Sequence, residues 1–337
     1  MPMKSSDALR KKRMTLLLLA IVLLAAAALA AFALLNSRGN QGETIRGSLE
    51  GRLTGTPQLD IGGAQYPYNR DLVNILVMGI DRASGEDRKL SLRSSGQADF
   101  LLLITIDEKA QTVDMLHIDR DTMADITILS VLGQDAGTRL AQICLAHGFG
   151  GTRDRSSQLT VEAASKLLFG VPIDRYVSIN MSDVGAIADS LGGIPVIMEE
   201  DLTNIDPTFV KGNEVLLTGE QANRFVRNRY FVSDGSNQAR MARQQLFMKS
   251  FQDKLSAEIA KGQSAAEKLY DQLSPYLFTS LTKGYIINVL NRTRGFNVVG
   301  ISSIDGLHRV SANGFMEFYP EQASLQRYVK AAFTTGD

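Results

Sequence analysis

Two aspartates and a scatter of arginines are the side chains whose types and spacing could do chemistry. Asp81 closes the apolar run Leu72–Gly79 in the segment Gly79-Ile80-Asp81-Arg82, and Asp99 opens the run Phe100–Ile106. Magnesium takes octahedral oxygen ligation from one or two carboxylates, completed by water and phosphate oxygens. Two aspartates on neighbouring strand ends could supply the protein's share. Ordinary turn or cap aspartates are the competing reading. Arg120 and Asp121 end a third run in His117-Ile-Asp-Arg-Asp-Thr122, and Arg227 and Arg229 fall near a helix end in Phe225-Val-Arg-Asn-Arg-Tyr230. Arg240, Arg243 and Gln244 stand at i, i+3 and i+4, which puts them on one face of a helix. The planar guanidinium fork matches phosphate oxygens bidentately, and several together neutralise a pyrophosphate. A solvated helix face with surface ion pairs has the same pattern and adds little stability.

Other chemistries are poorly served. No GxxxxGK[ST] loop, HExxH or GxSxG occurs, and Gly148-Phe-Gly-Gly151 completes no dinucleotide fingerprint, so it reads as a loop. His117, His147 and His308 stand at unrelated places, where structural or exposed roles are expected. The single cysteine, Cys144, rules out an intramolecular disulfide and a CxxC zinc site, and its apolar neighbours mark it as a buried small hydrophobe. With 36 basic and 36 acidic residues, the chain lacks the basic excess of a general nucleic-acid binder.

The elements that must position these residues follow from hydropathy. Met14–Leu35 carries no charge, Pro or Gly and is long enough to cross a bilayer as a helix. Lys4, Arg10, Lys11, Lys12 and Arg13 precede it, which places residues 1–13 in the cytoplasm and the rest outside. The run exceeds the length of a signal-peptide core, which favours an uncleaved anchor. Residues 36–69 are polar and Gly-rich and read as a tether. Residues 70–337 then form the exterior domain, with a core of 70–255 and the C-terminal portion packed on it. Strands are expected at Leu72–Gly79, Phe100–Ile106 and Val113–Ile118, then at Tyr176–Ile179, Ile194–Met198 and Phe315–Tyr319. Helices are expected from Thr160 to Gly170, from Ser182 to Leu191, from Thr218 to about Asn228, from near Asn237 past Leu255, and over Glu321–Phe333. The alternation predicts an α/β fold in αβα layers, a mixed central sheet flanked by helices, preceded by one transmembrane helix.

In this order the segments resemble the LytR-CpsA-Psr family of Gram-positive bacteria. They are NILVMGID, ADFLLLITID, HIDRDT, TVEAASKLLFGVPIDRYVSIN, LGGIPV, LTGEQANRFVRNR and RMARQQ, spanning about Leu72 to Leu255. No single segment is decisive; the ordered set is. The resemblance implies a membrane-anchored enzyme. It would move a glycopolymer such as a teichoic acid or capsule from a polyprenyl-pyrophosphate carrier to a peptidoglycan hydroxyl, with magnesium as cofactor. Asp81 and Asp99 match the magnesium-side carboxylates, and Arg120 and Asp121 the pair beside the transferred phosphate. Arg227, Arg229, Arg240 and Gln244 match the pyrophosphate clamp, with Arg82 and Arg243 joining that set. The partners implied are the lipid-linked glycan donor, the peptidoglycan acceptor and the bilayer, with no nucleic acid.

The chain departs from the family pattern in places. Gln97 stands where many members carry arginine, Asp119 where many carry proline, and Thr127–Leu145 diverges. The Gln97 departure leaves room for a non-catalytic lipid-glycan scaffold. A membrane-bound transcriptional attenuator is disfavoured by a cytoplasmic part of only Met1–Arg13, and a pyrophosphatase is a close variant in which water replaces the acceptor hydroxyl.

Overall fold

The computed structural model describes residues 57–81, 96–130, 132–228, 271–282 and 296–335, with isolated positions between 243 and 293. The anchor (residues 14–35), the cytoplasmic tail and most of the tether lie outside the described residues, as do Arg82, Arg229, Arg240 and Gln244. Among the described residues no helix is long and apolar enough to cross a membrane. The chain divides into two compact units, one built mainly on Asn180–Leu277 and the other on Asn40–Ile179, Phe278–Tyr285 and Arg292–Asp337.

The larger unit is built on a six-stranded sheet. A short hairpin, β1 (Gln58–Ile61) and β2 (Ala64–Pro67), precedes β3 (Leu72–Asp81), β4 (Gln97–Asp107) and β5 (Thr112–Ile118). A second hairpin, β6 (Met123–Leu129) and β7 (Asp135–Gln142), leads through a 3-10 segment, Ile143–Phe149, into helix α1 (Arg153–Leu167) and strand β8 (Arg175–Asn180). The smaller unit holds α2 (Val184–Ser190), the hairpin β9 (Ile194–Ile197) and β10 (Glu214–Leu217), and α3 (Gly219–Arg227). After it come β11 (Leu277–Thr279), β12 (Asn297–Ser303), the hairpin β13 (Gly306–Val310) and β14 (Met316–Pro320), and α4 (Gln322–Phe333). The strand order is β11-β8-β3-β4-β5-β12, with β3, β4 and β5 antiparallel and β12 parallel to β5, so the sheet is mixed as expected.

The central strands read as apolar runs because both of their faces are buried. One face, with Leu76, Met78, Leu101, Leu103 and Leu116, packs with Ala163 and Ala164 of α1 and with Leu325, Val329 and Phe333 of α4. The opposite face, with Val73, Val77, Leu102 and Met115, is buried too. Each such aliphatic side chain contributes roughly 1.5–3 kcal/mol on burial.

A buried side-chain amide, Asn74, lies within the central strands and is fully paired. Asn74 donates through Nδ2 to Tyr68 OH at 2.9 Å and Pro172 O at 2.7 Å, and its Oδ1 accepts from Thr105 Oγ1 at 2.9 Å. The Asn74 backbone N–H also donates to Asp174 Oδ2 at 2.8 Å.

Three local expectations need correction. The tether ends earlier than residue 69: Leu59, Ile61 and Tyr68 are core residues, and the β1–β2 hairpin carries them. Thr160 does not cap a helix. The cap is Thr152, which accepts from Arg155 N at 3.2 Å, while Thr160 sits mid-helix and donates back to Ser156 O at 3.0 Å. The helix begins early because Gly150 admits it: a Cβ there would lie 2.1 Å from Ser156 N. Thr218 does stand at the start of α3, yet its side chain makes no capping bond, and Asp189 Oδ1 accepts from Gly219 N at 2.8 Å instead. The long helix expected near Asn237 lies largely outside the described residues, although Arg243, Leu246, Phe247 and the other described positions up to Ala257 are helical.

Candidate active site

The β3–β4 ladder is regular from Leu72↔Asp107 to Gly79↔Phe100 and then slips by one residue, resuming at Ile80↔Ala98 and Asp81↔Gln97. Asp99 is the residue that the register skips, a β-bulge. A bulge kinks its strand and re-aims the extra side chain. The alternation records it: Ala98 and Leu101, three apart, both enter the same core cluster. Asp81 pairs with Gln97, so the Asp81 and Asp99 carboxylates stand at the same end of adjacent strands.

Asp99 meets Arg120 at that end. Arg120 Nη1 lies 2.5 Å from Asp99 Oδ1, whose side chain is 6% exposed, and Arg120 Nε lies 3.3 Å from Asp121 Oδ1. The guanidinium is thus flanked by two carboxylates. Burial alone would depress its pKa, but Asp99, Cys144 and Asp121 outweigh that and hold it above its ordinary value. The Asp121 carboxyl is pushed up, first by burial and then by neighbouring Asp119, against the opposing pull of Arg120.

The turn between β5 and β6 that carries this pair is closely determined. Asp119 Oδ1 accepts from Asp121 N at 2.8 Å, and Asp119 O accepts from Thr122 N at 3.0 Å and Thr122 Oγ1 at 2.6 Å. The 3-10 segment grips the far side, where Cys144 N donates to Arg120 O at 3.2 Å and Ile143 N to Thr122 O at 2.8 Å.

Cys144 is buried as expected, yet it also borders the site. Its Sγ is 4.0 Å from Gln97 Oε1, and burial pushes its thiol up to about 12 despite Arg120 nearby. Gln97, standing where many family members carry arginine, is therefore a neutral neighbour of the bulge. His147 is structural, buried with Nδ1 3.2 Å from Gly96 O, and His117 packs against Phe100 with ring centroids 5.6 Å apart. His308, which sequence spacing left unattached to any site, contacts Asp119. No local signal marks that contact, since β13 comes from the far end of the chain.

The remaining arginines belong to the smaller unit. Arg227 is exposed in the last turn of α3, where a cation complements the helix dipole. Arg243, which belongs to the clamp motif either as a ligand or as its support, has a supporting place in the structure. It is 3% exposed, and it donates to Phe225 O at 3.2 Å and to Asn228 O, the carbonyls that end α3. Glu200 Oε1 lies 3.7 Å from its Nη1.

Among the described residues no three His, Cys, Asp or Glu side chains group as a metal cage. The donor set present, two carboxylates at one sheet end beside an arginine, is of the kind that magnesium completes with water and phosphate oxygens rather than with protein alone.

A model of the LytR_cpsA_psr family matches residues 43–333. The Bacillus subtilis (strain 168) protein named polyisoprenyl-teichoic acid–peptidoglycan teichoic acid transferase TagU is 33% identical over 160 residues, covering 48% of this chain and 45% of that protein. The matched stretch therefore spans less than half of that relative's length. Among solved structures, the Lin1025 protein from Listeria innocua is 26% identical with a TM-score of 0.51, covering 77% of this chain and 96% of that one. Protein gbs0355 from Streptococcus agalactiae is 21% identical with a TM-score of 0.60, covering 78% and 88%, a likeness of fold. The family match runs through the bulge at Asp99, the Arg120 turn and the hairpin β13–β14, and on that extent the chain belongs to the LytR_cpsA_psr family.

Proposed function

We propose that this protein is a membrane-anchored phosphotransferase that moves a glycopolymer, of the teichoic acid or capsule kind, from a polyprenyl-pyrophosphate carrier to a peptidoglycan hydroxyl. The observation that carries the reading is the Arg120 guanidinium held between Asp99 and Asp121 at a bulged sheet end. A cation braced by carboxylates in a partly buried turn suits a phosphoryl group, whose transfer depends on positioning and charge neutralisation. The family and the TagU-named relative support the same chemistry.

In the reaction, the acceptor hydroxyl oxygen attacks the glycan-side phosphorus. A new phosphodiester bond forms, the bond to the bridging oxygen breaks, and polyprenyl phosphate leaves with the electron pair. Arg120 binds the non-bridging oxygens of the attacked phosphate. Asp121 accepts the hydroxyl proton, a task to which burial fits it by raising its proton affinity. Asp81 and Asp99 would hold magnesium, which when bound supplies further neutralisation of phosphate charge. Arg227, with Arg229, Arg240 and Gln244, would hold the pyrophosphate, with Arg82 beside Asp81. The anchor at Met14–Leu35 confines enzyme and donor to one bilayer and raises the donor's effective concentration.

The test is release of polyprenyl phosphate from a polyprenyl-pyrophosphate glycan, with wall oligomers and magnesium present and Asp99→Ala as control. Release coupled to glycan on the oligomer, lost in the variant, is the expected result. Donor binding without release would replace this reading by the scaffold.

A further inference from the structure

The hairpin β13–β14 is tied to the Arg120 turn by three contacts. His308 Nε2 lies 2.9 Å from Asp119 Oδ2. Phe318 N donates to Asp121 O at 2.8 Å. Gln142 Nε2 donates to Met316 O at 2.7 Å and reaches Asp121 Oδ1 at 3.4 Å. His308 and Phe318 face each other across the hairpin ladder, with ring centroids 4.7 Å apart, so the imidazole rests against a buried phenyl ring.

Asp119 divides its carboxylate between two tasks. Oδ1 accepts from Asp121 N and shapes the turn, while Oδ2 meets His308. The terminal torsion of an aspartate is soft, and a carboxylate tied through one oxygen alone rotates about it. The second tie fixes its plane. The pair is also exposed, 49% for His308 and 32% for Asp119, so it contributes little to global stability. An exposed pair that adds little stability yet fixes the residue shaping the Arg120 turn acts locally.

We infer that Asp119 and His308 are positioning residues for the transfer reaction: the bond between them sets the Asp121 amide and so aims Arg120 and Asp121 at the phosphate. This rests on the phosphotransferase reading above.

The full-length protein in detergent, with His308→Ala and His308→Gln beside the wild type, tests it. His308→Ala is expected to lower kcat roughly tenfold with the donor KM little changed, since small misplacements of a reacting constellation cost rate rather than binding. His308→Gln retains an N–H donor for Asp119 and is expected to restore most of the rate. An unchanged kcat in His308→Ala, or a loss in His308→Gln equal to that in His308→Ala, overturns the inference. Amide hydrogen exchange supplies an arm independent of turnover. The Asp121 amide is expected to exchange about tenfold faster in His308→Ala, with Ile104 in the middle of β4 unchanged, because the opening is local. Unchanged exchange at Asp121 overturns the inference even if the wild type releases no polyprenyl phosphate. That absence of release, with faster Asp121 exchange, would overturn the transferase reading and leave standing only that the Asp119–His308 bond fixes the Arg120 turn.

Discussion

Arg120 Nη1 sits 2.5 Å from Asp99 Oδ1, so without donor the charge offered to the phosphate is already engaged by the carboxylate assigned to magnesium. On the proposed reading, phosphate oxygens of the donor compete with Asp99 for that guanidinium. Removing the carboxylate therefore separates binding from turnover. Asp99→Ala is expected to leave donor affinity unchanged or tighter while lowering kcat by roughly 100-fold or more, the scale of losing one preorganised electrostatic group. Arg120→Ala is expected to weaken binding as well. Titration calorimetry with the donor, beside single-turnover release, reads both; weaker binding in Asp99→Ala would show that the ion pair does not compete with the donor.

Arg227 and Arg243 are expected to part company under mutation. Arg243 is buried with its donors on the carbonyls that end α3, whereas Arg227 is exposed in the last turn of that helix. Arg243→Ala leaves those carbonyls and Glu200 without their cation and is expected to cost about 3 kcal/mol in a denaturant titration. Arg227→Ala is expected to leave stability within about 0.5 kcal/mol of wild type and to weaken donor binding. Unchanged donor affinity in Arg227→Ala would remove it from the pyrophosphate clamp.

Much of this was legible in the sequence, and the misses share a cause. Strands β3, β4 and β5 announce themselves as apolar runs because both of their faces are buried. The β1–β2 hairpin is quieter. Gln58-Leu-Asp-Ile61 alternates correctly, but it is only four residues long, and the positive-φ pair Gly62-Gly63 was its one turn signal. Asp99 was placed correctly at a strand end, while the bulge was invisible, because register is a property of two strands together. The Asp119–His308 contact joins distant parts of the chain and leaves no trace in local pattern.

Two aspartates should tilt stability against pH in opposite directions. Asp206 is held below the ordinary carboxylate range, chiefly by the Thr208 hydroxyl at 2.7 Å, with Arg224 3.1 Å from its other oxygen. Its contribution is present above the unfolded value, about 3.9, and is lost as pH falls through the folded one. Asp114 is raised by burial, so its ionised form costs stability above its folded pKa, and that cost is relieved on acidification. Asp206→Asn is expected to destabilise at neutral pH by about 1–2 kcal/mol, a gap closing below about pH 4. Asp114→Asn is expected to be neutral or stabilising at neutral pH, with its advantage shrinking as pH falls. Urea titrations across pH test both, and parallel profiles would contradict the assignment.

Cys144 should behave as an inert thiol despite its cationic neighbour. Burial lifts its pKa to about 12, leaving almost no thiolate at neutral pH. Iodoacetamide is expected to modify it at least about 100-fold more slowly in the native protein than in urea. Rapid native labelling would mean that the 3-10 segment Ile143–Phe149 opens readily.

Asp99 is the extra residue of the bulge, so the β3–β4 register closes without it. Phe100 already lies opposite Gly79 and Ala98 opposite Ile80, so deleting Asp99 would join two registered stretches into one unbroken ladder and remove the carboxylate proposed above to hold magnesium. The pairing scheme is indifferent to the residue proposed to hold the metal, so an inserted residue, rather than a substituted one, is the simplest route from a plain antiparallel ladder to this bulged sheet end.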